Sequence, residues 1–358
     1  MKTFFILGRN PELSKAEISE FLRARDRNYK EILFENNLLI IDTDNREFDI
    51  QEFGGVMWLG NITFEGSSEE FEKYVDQNEI VPADKFSYSV IGNQEEEILK
   101  EKFKKEKKRA SVKHGRHQIQ FQDGTKDKLA KADFLIIYHE HNKTIYFGTA
   151  TQNYSNIEVK NRDMNKPVRR ESLAISPRLS KILINLSGAK PKDLLLDPFC
   201  GIGGILQEAL LKNMNVYGID KDKQATEDAK TNLNWIKDKY DVKNTYKIEN
   251  NNSTHASDMQ FAAIATETPL GKLLTRKPNK NQSKQMVVDF EAYIIPILRR
   301  LKLVKKRSAR IAITFPVIQD IHTDVNKIAQ KTSLKVKIGP IFESRPDQFI
   351  SRDIIVFE

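Results

Sequence analysis

Leu194-Leu195-Leu196-Asp197-Pro198-Phe199-Cys200-Gly201-Ile202-Gly203-Gly204-Ile205-Leu206 is the stretch on which the fold turns. Three leucines ending in an acid read as a short buried strand. The glycines that follow permit a tight turn in which backbone approaches a ligand closely, and the apolar run at 205–211 reads as a helix. A strand, a glycine-rich turn and a helix place a ligand at the carboxyl end of the strand. A dinucleotide turn would read G-x-G-x-x-G, and Leu206 stands here where its last glycine belongs.

Outward from this stretch, 176–358 alternates helix and strand. Helices are expected at 178–186, 205–211 and 223–237, and strands at 193–196, 216–219, 262–265, 310–314, 336–338 and 353–357. Such alternation predicts an α/β, doubly wound, largely parallel sheet. The last two strands have no helix between them and are expected to pair antiparallel. That ending distinguishes a Rossmann-like S-adenosylmethionine (SAM) methyltransferase sheet from a dehydrogenase sheet. Residues 1–70 read as a small α+β unit, ferredoxin-like in order, with a strand at 4–7, a helix at 13–23 capped by Ser14, and a hairpin at 32–34 and 37–41. Residues 71–157 read as a second α+β unit with strands at 86–90, 117–121, 133–138 and 144–149 and a charged helix at 95–107. Residues 158–175 are expected to link these to the sheet at 176–358.

Two acids flank the glycine turn. Asp197 suits the ammonium, or a bridging water, on the methionine part of SAM, and Asp197-Pro198 fits that cofactor better than a pyrophosphate. After the next strand, Tyr217-Gly218-Ile219-Asp220 puts a carboxylate at a strand tip, where it suits two ribose hydroxyls. Gly201 and Gly203 let the turn close around the ligand. Cys200 is expected to be a packed small residue rather than a nucleophile, since no histidine lies near it in sequence.

Composition bounds the rest. Hydrophobic residues are 39% and charged residues 30%, which excludes a disordered chain. No stretch is apolar enough to span a bilayer, and the apolar start at 4–7 is too short for a signal peptide. One cysteine forms neither an internal disulfide nor a cysteine-rich zinc site, so a cytoplasmic chain without a structural metal is expected. The net charge of +8 suggests a polyanionic partner. Lys100, Lys102, Lys104, Lys105, Lys107, Lys108 and Arg109 crowd one stretch, with Glu101 and Glu106 interspersed as on a solvated helix face. Lys272, Arg276, Lys277, Lys280 and Lys284 crowd another that is free of acids.

Taken together, Asp197-Pro198-Phe199-Cys200-Gly201-Ile202-Gly203-Gly204, Glu208-Ala209, Arg162-Asp163, Lys166-Pro167, Pro177-Arg178-Leu179 and the N-terminal run from Phe5 to Ser14 resemble a known family. It is the THUMP-containing tRNA guanosine-10 N2-methyltransferases of archaea and eukaryotes, and the resemblance covers nearly the whole chain. It implies a ferredoxin-like domain, a THUMP domain that docks tRNA, and a methyltransferase domain that uses SAM. The family's catalytic motif reads Asp-Pro-Pro-Tyr-Gly. Here the matching residues are Glu267-Thr268-Pro269-Leu270-Gly271. Glu267 would accept hydrogens from the target amine, helped by the backbone at Pro269, and Leu270 would press an apolar face on the base. In Ile248-Glu249-Asn250-Asn251-Asn252-Ser253, Asn252 falls nearest the family's adenine-binding acid. Arg345 and Arg352 are RNA-phosphate candidates or structural ion-pair partners. The activity implied is methylation of a guanosine N2 in tRNA. A tRNA-binding paralogue with weak or absent catalysis stays open, because Glu267, Thr268 and Leu270 depart from the motif. So do an adenine-N6 methyltransferase on RNA or DNA and a dinucleotide oxidoreductase.

Overall fold

The computed structural model describes residues 1–44, 47–91, 96–114, 117–120, 126–129, 132–170, 175–269, 277–344 and 349–358. Its elements run β1 (Lys2–Leu7), α1 (Pro11–Ala24), β2 (Tyr29–Glu35), β3 (Leu38–Thr43), β4 (Val56–Gly66), α2 (Ser68–Gln77), β5 (Lys85–Ile91), α3 (Glu96–Lys105), β6 (Arg109–Val112), β7 (His117–Gln120), β8 (Lys126–Leu129), β9 (Phe134–His141), β10 (Thr144–Asn153) and α4 (Asn156–Met164). They continue α5 (Pro177–Leu186), β11 (Leu194–Asp197), α6 (Gly204–Leu211), β12 (Asn215–Asp220), α7 (Lys223–Tyr240), β13 (Tyr246–Asn250), β14 (Ala263–Glu267), α8 (Lys280–Val304), β15 (Ile311–Ile318), α9 (Val325–Thr332), β16 (Val336–Glu343) and β17 (Ile350–Phe357). By contacts the chain forms two units. One is Met1–Pro11, Asn28–Ile50 and Val56–Tyr154; the other is Glu12–Arg27, Gln51–Gly55 and Ser155–Glu358.

The first unit is built on one sheet in the order β2-β3-β1-β4-β10-β9-β5-β6, with β7 and β8 as a separate pair. The sequence division at 70 and 71 falls inside α2, beside a sheet that takes strands from both sides of it. The Ser67–Glu70 capping box starts α2 by satisfying free amides at its first turn. Phe71 and Val75 of α2, with Leu99 and Phe103 of α3, cover Ile136, Tyr138, Ile145 and Phe147 on one face. The other face buries Phe4, Ile6, Leu33, Ile40, Leu135 and Ile137. The basic stretch at and after α3 is partly neutralised. Lys100 pairs with Glu96 at 2.7 Å, Lys108 with Glu79 at 2.7 Å, and Lys102 with Glu106 at 3.1 Å. An ion-paired helix face describes Lys100 and Lys102, while Lys107, Lys108 and Arg109 follow the end of α3.

The second unit holds the Rossmann-like sheet, in the order β13-β12-β11-β14-β15-β17-β16. β11 pairs parallel with β12 and β14, β12 with β13, and β14 with β15. β17 runs antiparallel to both β15 and β16, so the expected antiparallel ending is present. Leu183, Leu206 and Leu233 of α5, α6 and α7 pack in one core cluster, and Ile294, Leu298 and Ile328 of α8 and α9 in another. Successive connections diverge from β11, toward β12 on one side and β14 on the other. That reversal opens a crevice at the carboxyl ends of the strands.

Ser14 does not cap α1. The helix begins at Pro11, whose fixed φ and missing amide suit the first helical position, so Ser14 lies one turn inside and is buried. α1 from Glu12 onward belongs to the second unit. The Glu17 carboxylate there accepts from the Gly54 amide at 2.7 Å, the Gly55 amide at 2.8 Å and Asn185 Nδ2 at 2.8 Å. Among the described residues no helix is long and apolar enough to cross a membrane.

Candidate active site

The glycine turn is pinned to its neighbour before any ligand is considered. The Cys200 amide donates to the Ile219 carbonyl at 3.0 Å, and the Gly203 amide to the Cys200 carbonyl at 2.7 Å. Gly201 has φ +49° and Gly203, the residue preceding α6, φ +86°. Both lie in the left-handed region that a side chain resists, which explains why these two positions are glycine. The turn carries Gly201 to Asp220. Its amide donates to Asp220 Oδ2 at 2.9 Å, while the Asp222 amide donates to Oδ1 at 2.9 Å. Asp220 is thus fixed at the tip of β12 by two backbone donors, and each oxygen keeps further acceptor capacity.

Asp197 ends β11 and is buried, as is Pro198 beside it. Its Oδ1 accepts from Thr266 Oγ1 at 2.5 Å and from the Phe199 amide at 3.1 Å. Burial pushes its carboxyl up to about 7 against those hydrogen bonds, and the negative charges of Asp220 and Glu267 add to the rise. Among the described residues no basic side chain pairs with Asp197. A buried acid without a cation, flanked by two more acids at neighbouring strand tips, fits a cationic ligand. SAM, with its sulfonium and ammonium, is such a ligand. Cys200 is buried and its thiol pushed well up by burial, as a packed residue should be.

Glu267 ends β14, next to β11 in the sheet. Its Oε1 is hydrogen-bonded by Arg352 Nη1 of β17. Arg352 is buried, and its Nε lies 3.6 Å from Glu343 Oε2. Arg352 is therefore the ion-pair partner of Glu267, and a role on RNA phosphate is set aside for it. Thr268 is buried too. Its Oγ1 donates to the Thr314 carbonyl at 2.7 Å and its amide to Thr314 Oγ1 at 3.2 Å. Pro269 is exposed. Leu270, Lys272, Arg276 and Arg345 lie outside the described residues. Asn252 is exposed and precedes the short helical turn Ser253–His255; its Oδ1 already accepts from the Thr254 amide and hydroxyl, each at 3.0 Å.

Sequence reading missed several groups that face this crevice. Thr266, the residue before Glu267 on β14, orients Asp197. Ser253 Oγ donates to the Pro198 carbonyl at 2.5 Å, which ties the segment after β13 to the glycine turn. Tyr293 of α8 packs its ring on Phe199 with centroids 6.1 Å apart, and Lys221 Nζ lies 5.9 Å from the Tyr293 centroid. The Asp220 charge, after burial, helps raise the Tyr293 hydroxyl. Tyr293 sits in a helix that no motif marks.

Residues 166–291 match the family described as "RMKL-like, methyltransferase domain". The chain is 24% identical to the tRNA (guanine(10)-N2)-dimethyltransferase of Pyrococcus abyssi over 99% of its own length and 98% of the relative's. It is 38% identical to the enzyme of the same name from Methanothermobacter thermautotrophicus, over 27% of this chain and 28% of that one. In fold it is similar to TrmN from Thermus thermophilus, with a TM-score of 0.54 and 13% identity over 100% of this chain and 99% of that one. These findings bear out the motif resemblance, the Rossmann-like methyltransferase fold and the reading of the chain as a SAM-dependent methyltransferase.

Proposed function

We propose that the chain methylates the exocyclic N2 of a guanosine in tRNA, with Asp197, Pro198, Gly201, Gly203 and Asp220 as the cofactor cradle. The observation that carries this is the trio of acids at three adjacent strand tips, one of them buried with no cation paired to it among the described residues. The length-wide likeness to an enzyme named for guanine-10 N2 supports the choice of amine and RNA. Asp197 would meet positive charge at the methionine end, Asp220 would accept from ribose hydroxyls, and Asn252 would serve the adenine through its amide. When bound, SAM would supply an electrophilic methyl group, its sulfur being the leaving group, for the attacking nitrogen.

An exocyclic amine conjugated to a purine is a poor nucleophile. Glu267 and the backbone at Pro269 would accept its N–H hydrogens and help localise the lone pair, and Glu267 would take up the proton released. Leu270 would press on the base. Glu267 reaches about one methylene, on the order of 1 Å, further than the family's aspartate. Arg352, anchored in β17, hydrogen-bonds that carboxylate and in this reading acts as a positioning residue. Residues 1–70 and 71–157 serve in this reading as ferredoxin-like and THUMP segments that grip the RNA, with 158–175 linking them to 176–358, and a cytoplasmic location is part of the same reading.

Mass-spectrometric mapping of tRNA nucleosides after incubation with chain and SAM tests the reading. N2-methylated guanosine is expected, and its absence from every tRNA overturns the catalytic assignment. One observation favours a second reading, a tRNA-binding paralogue: Glu267 is held by Arg352 rather than left open to an amine. Retained tRNA binding without methyl transfer, with activity appearing on Glu267→Asp, Thr268→Pro and Leu270→Tyr together, would establish it. Methylated adenosine, or preference for duplex DNA in competition, would instead identify an adenine enzyme.

A further inference from the structure

The sheet of the first unit brings together three side chains that its hydrogen-bond ladder keeps apart. β2 and β9 are separated by the four strands β3, β1, β4 and β10. Yet Leu33 of β2 shares one apolar cluster with Leu135 and Ile137 of β9. With His139 Nε2 of β9 only 3.0 Å from Glu35 Oε2 of β2, the sheet curls until these two strands face each other. Side chains two residues apart on a strand point to one face. The face of Leu33 thus continues to Glu35, and that of Leu135 and Ile137 continues to His139 and His141. Where the apolar seam reaches solvent, it ends in a carboxylate and two imidazoles.

Their geometry is that of a tripod. His139 Nε2 lies 3.0 Å and His141 Nδ1 3.5 Å from the same Glu35 oxygen. All three ligand atoms fall within 4.8 Å of one another. Donors about 2.0–2.1 Å from a tetrahedral ion stand roughly 3.3 Å apart, so small rotations of the two rings seat an ion. The donors are also held in place. Glu35 pairs with Leu38 and His141 with Thr144, each across a tight turn with left-handed residues, Asn36 in one and Asn142 and Lys143 in the other. A plain His139–Glu35 hydrogen bond needs one imidazole. The second, converging on the same oxygen, is what a metal site adds.

We propose that Glu35, His139 and His141 bind a divalent ion of the zinc class, latching two hairpin ends across the seam of the curled sheet. Two imidazoles and a single carboxylate suit zinc or a similar borderline ion, whereas magnesium and calcium call for mostly oxygen donors. The fourth position falls to water. Cysteine count alone led the sequence reading to expect no structural metal, and this site uses no cysteine. It lies in the first unit, and nothing in the argument depends on the methyltransferase assignment.

The test uses the full chain stripped by a chelator. Cobalt(II) is titrated in and followed by its visible absorption, zinc is titrated by calorimetry, and thermal unfolding is compared with and without zinc. One ion per chain is expected, with a rise of about 5 °C in an unfolding midpoint at hundredfold excess over Kd. Glu35→Gln and His141→Ala, both at exposed side chains, should each weaken uptake by at least about tenfold and leave SAM binding unchanged. Uptake only at millimolar ion, or uptake that neither substitution alters, overturns the proposal.

Discussion

Burial raises the Asp197 carboxyl to about 7, whereas in the unfolded chain it returns to about 3.9. The folded state then holds a proton that the unfolded state has released. The resulting contribution to stability is fully present below about pH 4, shrinks as pH rises, and is gone above about pH 7. Asparagine at this position keeps an oxygen for the Thr266 and Phe199 donors and never ionises. Asp197→Asn should therefore unfold at a higher temperature than the native chain at pH 8, by free energy on the order of a few kcal/mol, with the gap closing toward pH 5. Calorimetry should show SAM affinity falling at least about tenfold in the same variant. A gap independent of pH would mean that Asp197 is not a buried acid. Arg352 is the opposite case, a buried cation serving two acids. Arg352→Met takes a buried cation from Glu267 and Glu343 and should cost about 3–5 kcal/mol in denaturant unfolding. Adding Glu267→Gln should recover part of that stability while methyl transfer stays low, which separates the structural role of the pair from its positioning role.

Secondary structure was legible where short apolar runs are bounded by turn residues, as in β1, β11, β12, β14, β15 and β17. It was less so where burial is partial. β13 alternates half-buried and exposed positions with Lys247, Glu249 and Asn250, and lacks an apolar run. α8 follows a basic stretch and contains Pro296, two features that argue against a helix. Its buried positions Val287, Phe290, Ile294, Leu298 and Leu301 nonetheless recur at helical spacing. Losing α8 meant losing Tyr293, and with it the aromatic side of the crevice. The strand-tip acids were legible because their chemistry is local, whereas Arg352 reaches Glu267 across 85 residues of chain, a contact that no spacing reveals. α8 carries its own prediction. Tyr293 lies against Phe199 and near Lys221, between the tips of β11 and β12, where a flat ring would meet the adenine. Stacking on a base is worth roughly 1–3 kcal/mol. Tyr293→Ala should weaken SAM binding by on the order of tenfold, Tyr293→Phe should retain it, and equal affinities for all three would remove Tyr293 from the site.

At the scale of the molecule, the catalytic unit is not a continuous stretch of chain. Glu12–Arg27 and Gln51–Gly55 fold with Ser155–Glu358. Leu13 belongs to the core cluster of Leu183, Leu206 and Ala209, and Arg310 and Arg23 both pair with Glu20. The Lys181 ammonium donates to the Gln51 carbonyl at 2.6 Å and Arg178 Nε to the Gly54 carbonyl at 2.6 Å. Lys212, buried beneath, is bonded to the Glu52 carboxylate and to its carbonyl at 3.0 Å. Without α1 and the 51–55 segment these cations lose the acceptors just named, although Lys181 keeps Glu208 at 4.0 Å, and burial already lowers Lys181 to about 8. Each unpaired buried polar group costs about 1–3 kcal/mol, and native domains have only about 5–15 kcal/mol in total. A fragment spanning 155–358, although it contains every proposed cofactor ligand, should therefore show weakened cooperativity and a lower unfolding midpoint than the full chain. Glu17→Ala in the full chain should reproduce part of that loss by removing the acceptor shared by Gly54, Gly55 and Asn185. Chemical denaturation of the three proteins checks this. A fragment as stable as the full chain, binding SAM equally well, would show that the N-terminal helix is merely adjacent to the catalytic unit and not a component of it.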